Sequence, residues 1–265
     1  MSLSQAGPWR LGVVSYLNSR PLIAGLELDS SIEIILDVPS RLPGMLDRGE
    51  VDVALVPVID LVDESRDWQI ISDACIGCDG ETLTVRVFSR GNPQSITRLL
   101  VDGDSHTSVA LARVIWQEEY GRRLDIQEFD GREPSDDTDG VLLIGDKVVN
   151  HSLIHCDHEI DLGAAWKSLT SLPFVFAVWA APRDLHCPEL VERLRIARDR
   201  GVASAQAIGA DLGPGLGWPV AQAVRYLTTR LRFTLGERQR AGMKKFLELA
   251  GHNGLIPQGR ELTFA

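Results

Sequence analysis

Long apolar runs are missing from this chain. The longest, Phe174 to Ala181, has eight residues, whereas a helix that spans a bilayer takes about 20. The opening residues Met1–Arg10 contain no apolar segment of the secretory-signal kind. Cysteine is scarce as well. Four cysteines in 265 residues do not make a disulfide framework and agree with a reducing compartment. The expectation is a soluble cytoplasmic chain with no membrane insertion. Positive charge is the third shortage, with 27 Lys and Arg against 37 Asp and Glu, a formal net charge of −10. No basic stretch offsets that field, which repels nucleic acid and anionic membranes. An anionic ligand must therefore be attracted locally, by helix ends, hydroxyls or one or two Arg.

Several reactive motifs are also absent. No Gly-Lys-Ser/Thr ending marks a phosphate loop, and no Gly-x-Gly-x-x-Gly follows a strand. Ser15, Ser89 and Ser108 have no Gly-x-Ser-x-Gly context, so no hydrolase triad is expected. Cys75-Ile76-Gly77-Cys78 has redox-motif spacing without the helical context of a thioredoxin site. Cys156 stands between His155 and His158, but no second pair at finger spacing completes a zinc site. Neither a metal nor a cofactor is expected.

What is present is an alternation of strand-like and helix-like segments. Leu11–Ser15, Ile32–Leu36, Val51–Pro57, Leu99–Asp102, Leu124–Phe129 and Val141–Ile144 read as strands. Pro39–Gly49, Ser108–Tyr120, Pro188–Ala203, Pro219–Leu231 and Glu237–Gly251 read as helices. That rhythm predicts an α/β fold with parallel sheets covered by helices. Thr82–Ser89 and Phe174–Ala181 look like two crossovers, and Asp130–Asp139 like an acidic surface loop. The expected architecture is a discontinuous lobe, 1–86 with 182–265, an inserted lobe, 87–181, and a cleft between them.

Candidate site residues gather at strand ends, where open α/β sheets bind ligands. After the first strand come Tyr16, Leu17, Asn18, Ser19, Arg20 and Pro21. Asn18 offers two donors and an acceptor on a short stem, although Asn, Ser and Pro also make ordinary turns. Asp102–Ser108 follows a strand and opens a helix, with the Thr107 and Ser108 hydroxyls placed where free backbone N–H groups emerge. Such a turn binds a carboxylate or phosphate, or simply caps the helix. Gly145 allows close backbone approach, and Asp146 is a cap or a ligand group. Pro57 reads as a wall. Trp166, Phe174, Phe176 and Trp179 concentrate aromatic area, for the core or for a cleft that takes a flat ring.

Taken in order, these segments resemble the chorismate dehydratase family of the futalosine route to menaquinone. The resemblance is carried by Tyr16-Leu17-Asn18 with Pro21-Leu22, Asp52–Pro57, Thr107–Leu111, Leu142–Asp146, Asp161-Leu162-Gly163 with Trp166, and Leu172–Trp179. Tyr226-Leu227, Phe246 and Gly254-Leu255 continue it over nearly the whole chain. It implies a two-lobed type II periplasmic-binding-protein-like fold with an interlobe cleft. The implied activity is a cofactor-free lyase that removes water from chorismate, a small dicarboxylate, to give 3-[(1-carboxyvinyl)oxy]benzoate. It also implies roles. Asn18 and Thr84 would act at the reacting centre, and Tyr16, Ser19, Pro57, His106, Thr107, Ser108, Gly145, Asp146 and Phe174 would bind substrate. Two positions depart from the family pattern: Thr84 where Ser is common, and His106 where Arg is common. The alternatives are the sister enzyme that makes 1,4-dihydroxy-6-naphthoate and a non-catalytic solute-binding protein of the same fold.

Overall fold

A computed structural model of the chain describes residues 7–131, 136–150, 156–259 and 261–265. Met1–Ala6, part of the acidic insert (132–135) and His155 lie outside the described residues. The chain opens with β1 (Trp9–Val14), β2 (Ile32–Asp37), α1 (Leu42–Asp47), β3 (Val53–Pro57) and β4 (Trp68–Cys78). It then builds β5 (Val85–Ser89), β6 (Arg98–Val101), α2 (His106–Tyr120), β7 (Asp125–Glu128), β8 (Asp139–Ile144), β9 (His158–Asp161) and α3 (Leu162–Thr170). The final part holds β10 (Phe174–Pro182), α4 (Pro188–Ala203), α5 (Ala205–Leu212), α6 (Val220–Arg225), β11 (Leu231–Thr234) and α7 (Glu237–His252).

These strands form two sheets. The first has six strands in the order β11-β4-β10-β3-β1-β2, the second five in the order β7-β6-β8-β5-β9. Every residue of β3 is buried, so its Val-Ala-Leu-Val-Pro run needs no polar alternation. α2 begins where the Ser105 hydroxyl accepts the Ser108 N–H and ends at Gly121, which takes φ +62°, the usual helix stop.

Several expectations change. The sheets are mixed rather than parallel: β10 runs antiparallel to β3 and β4, and β5 antiparallel to β8 and β9. Phe174–Ala181 is a central strand of the first sheet, paired with β3 and β4, so an inserted lobe ending at 181 includes a strand of the other sheet. Burial on both faces explains its continuous apolar run. The Thr82–Ser89 stretch divides, with 82–84 in the link and β5 opening only at Val85. The segment after β1 is a 3-10 turn, Leu17–Ile23, with Pro21 inside it. Its start is shaped by Ser19, whose hydroxyl donates to the Val14 and Tyr16 carbonyls. Pro219–Leu231 divides into α6 and a π turn, Tyr226–Arg230. Among the described residues no helix is long and apolar enough to cross a membrane.

Candidate active site

The cleft between the sheets contains about 480 Å³ of atom-free space, part of it open to solvent. From the first sheet side it is lined by Tyr16, Asn18, Pro57, Ile76, Phe176 and Tyr226, among others. Thr82, Thr84, Val85, Ser105, Ser108 and Gly145 face them. The wall is mostly apolar, with a few converging hydroxyls and one amide.

Thr84 is built in by strain and by a buried acid. Leu83, just before it, has φ +73°, an uncommon conformation for a side chain of this size. The Asp161 carboxylate holds that geometry by accepting the Thr82 and Leu83 N–H groups at 3.0 and 2.7 Å. It also caps α3 by accepting the Gly163 and Ala164 N–H groups. Burial pushes the Asp161 pKa up, while those N–H donors pull the other way. Gly163 is required here, because a Cβ would lie 2.5 Å from the Gly80 carbonyl oxygen. The Thr84 hydroxyl, 2% exposed as a residue, lies 2.7 Å from the Tyr226 hydroxyl.

Ser108 is oriented by its neighbour. The Ser105 Oγ accepts the Ser108 N–H at 3.2 Å and donates to the Ser108 Oγ at 3.0 Å. With that lone pair occupied, the Ser108 proton is left to donate to a ligand. Asn18 contributes the opposite polarity: its Oδ1 is buried and has no hydrogen-bond partner among the described residues. A buried acceptor left unpaired costs about 1–3 kcal/mol, so this atom is suited to a ligand donor.

Other predicted residues are committed elsewhere. The Ser19 hydroxyl serves the turn already described. Thr107, fully buried, accepts the Ile59 N–H at 3.2 Å. His106 Nδ1 pairs with Asp60 at 2.9 Å on the cleft rim, and that hydrogen bond raises its pKa. Asp146 accepts the Leu17 N–H and the Trp218 Nε1–H, the latter at 2.9 Å; burial raises its pKa. Phe174 packs in the core against Trp166 and Phe246, at ring separations of 5.3 and 5.0 Å, and Phe176 is the ring that reaches the cavity. Ser19, Thr107, His106, Asp146 and Phe174 are not among the residues that line the cavity. Cys75 and Cys78 are buried on β4, and burial pushes the Cys75 thiol up to about 12.

The sequence reading missed Tyr226, Ser105, Thr82 and Asp161 as builders of the cavity. Ser105 and Asp161 carried a helix-cap signal, Ser or Asp directly before a helical segment. Tyr226 carried none, since only the fold brings it to Thr84.

A family model described as menaquinone biosynthesis matches residues 9–252. This chain belongs to that family. A chorismate dehydratase of Thermus thermophilus is 31% identical over 262 residues, covering 92% of this chain and 96% of that one. A chorismate dehydratase of Campylobacter jejuni is 30% identical over 162 residues, covering 61% and 58%. A crystal structure of an Archaeoglobus fulgidus protein superposes with a TM-score of 0.71 at 17% identity, covering 96% of this chain and 100% of that one. The periplasmic aliphatic sulphonate binding protein of Escherichia coli gives 0.63 at 13%, covering 96% and 95%. Identities this low speak for the fold alone, which is the periplasmic-binding-protein type with two lobes and a cleft.

Proposed function

We propose that this member of the menaquinone biosynthesis family is a cofactor-free hydro-lyase that dehydrates chorismate to 3-[(1-carboxyvinyl)oxy]benzoate. The observation that carries the reading is a cleft with an apolar, partly aromatic wall that also holds the unpartnered Asn18 amide oxygen and the hydroxyls of Thr84 and Ser108. Such a wall accepts a cyclohexadiene ring, and the few polar groups orient its substituents. The two chorismate dehydratases similar to this chain support the choice of substrate.

The chemistry is redox-neutral. A base takes the proton from ring C3, that C–H electron pair becomes the C3–C4 double bond, and the C4–O bond breaks. Hydroxide departs and is protonated to water. Because the ring becomes aromatic, positioning and fixed dipoles are the main demands on the protein. Asn18 and Thr84 serve the reacting centre in this proposal, and Ser108, at the start of α2, serves a substrate carboxylate. The helix N-terminus adds a favourable field there, which a chain of net charge −10 needs for an anionic substrate. No His, Asp, Glu or Lys is among the described residues that line the cleft. The base is therefore assigned to a substrate carboxylate or to a water held by Asn18.

One assay tests the reading. Purified protein pretreated with a chelator and given chorismate alone should release water and a benzoate with the enolpyruvyl ether intact. A folded protein that binds chorismate, gains thermal stability by mass action and leaves it unchanged would be a solute-binding protein instead. One that ignores chorismate would turn attention to the naphthoate-forming sister enzyme.

A further inference from the structure

We infer that Tyr226 is a positioning residue for this reaction, orienting the Thr84 hydroxyl so that its proton points at the departing oxygen. The inference rests on the dehydratase reading and concerns how Thr84 is held.

The direction of the hydrogen-bond chain can be worked out from donors and acceptors. The Thr84 Oγ1 and Tyr226 Oη lie 2.7 Å apart, and by distance alone either could donate. Asn18 lines the same cavity as Tyr226. The Asn18 Oδ1 has no hydrogen-bond partner among the described residues, so it does not accept the phenol proton. If Tyr226 accepted from Thr84, its own proton would have no acceptor among the described residues in a fully buried site. The consistent arrangement has the Tyr226 O–H donating to Thr84 Oγ1. The Thr84 proton is then the member of the chain that remains for the cavity.

The rest of the surroundings hold the phenol still. Its ring stacks on Trp218 at 4.8 Å with an interplanar angle of 18°, and the Trp218 Nε1–H is tied to Asp146. Tyr226 opens the π turn Tyr226–Arg230, a rare geometry that is frequent at functional sites. The β-branch of Thr84 limits its χ1, so a fixed partner fixes the proton direction. Burial pushes the phenol pKa well above its ordinary value, so Tyr226 keeps its proton throughout. Thr84 therefore contributes a hydrogen bond to the leaving oxygen, and the proton that completes water is the one taken from C3.

The test compares steady-state kinetics on chorismate for the wild type, Tyr226→Phe, Thr84→Val and the double variant. The phenylalanine retains the stack on Trp218 and removes only the hydroxyl. Expected is a fall in kcat of about 10- to 100-fold with KM within about threefold. The double variant should be no slower than Thr84→Val alone, because the two groups act as one unit. Multiplying losses, or an unchanged kcat in Tyr226→Phe, would overturn the inference. If Tyr226→Phe fails to fold, replacing Tyr226 by 3-fluorotyrosine retains the hydroxyl as a stronger donor. It should move kcat by at least about twofold at constant KM, and an unmoved kcat overturns the inference. Wild-type protein that does not turn over chorismate defeats the dehydratase reading and this inference with it. Turnover by the wild type with an indifferent Tyr226→Phe defeats the inference alone.

Discussion

The Tyr16 hydroxyl donates to the Asp104 carboxylate at 2.5 Å, joining the end of β1 to the loop before α2 across the cleft. Asp104 is held from the other side by Lys147, which also binds Asp102 at 2.8 Å. Beside this pair, the Ser40 N–H donates to the Asp104 carbonyl at 3.0 Å. The two lobes are thus tied at the mouth of the cleft.

Tyr16→Phe should loosen that tie while leaving the reacting groups in place. A net hydrogen bond to a charged acceptor contributes about 1.5–3 kcal/mol. The expected result is a KM for chorismate raised roughly 10-fold with kcat changed far less. Steady-state kinetics on the folded variant would decide it. A lowered kcat at unchanged KM would place Tyr16 in the chemical step.

Gly145→Ala should be among the most damaging single substitutions. Gly145 has φ +63°, and an added Cβ would lie 2.6–2.7 Å from ring atoms of Tyr16. Backbone strain and the clash act together, so a loss of about 2–4 kcal/mol is expected. Denaturant unfolding would measure it. A variant as stable as the wild type would mean that the Tyr16 ring moves aside without cost.

Asn18→Ala and Ser108→Ala should separate in kinetics. Removal of the Asn18 amide should lower kcat by about 100-fold or more. Loss of the Ser108 hydroxyl should raise KM more than it lowers kcat if it serves ground-state binding of a carboxylate. Full turnover by Asn18→Ala at saturating chorismate would remove Asn18 from the chemical step.

Asp60 and His106 predict a pH dependence of stability. The His106 pKa is raised in the folded chain by its hydrogen bond to Asp60, against desolvation and the Arg66 charge. Its stabilising contribution is therefore complete below about 6.5 and is lost as pH rises through the higher folded value. His106 is half exposed, and Arg66 also binds Asp60 at 3.2 Å, so the effect should stay below about 1 kcal/mol. Thermal melts should fall slightly from pH 6.5 to 8 in the wild type, and His106→Gln should lack that slope. An identical slope in both would assign it to another group.

Local chemistry makes much of this legible in the sequence. The β1 strand with its Tyr16-Leu17-Asn18 mouth and the Ser105–Ser108 cap depend on residues a few positions apart, and those signals survive in one dimension. β4 did not announce itself, because its eleven residues include Ser72, Asp73 and Gly77 among the apolar ones. The position of β10 depends on pairing with strands far away in the chain. Thr84 and Tyr226 are 142 positions apart, and no short-range pattern links them. Phe174 and Phe176 looked equivalent in sequence, and only packing against Trp166 and Phe246 separates the core ring from the cavity ring.

The link 79–84 between β4 and β5 has a second consequence. It is the joint between the lobes on one side and the bearer of Thr84 on the other, with Leu83 strained between them. Hinge and tool are one piece of chain. In the proposed reaction, a substitution that softened the joint would also misplace the hydroxyl it carries, so the flexibility of this stretch and the aim of Thr84 cannot be tuned separately.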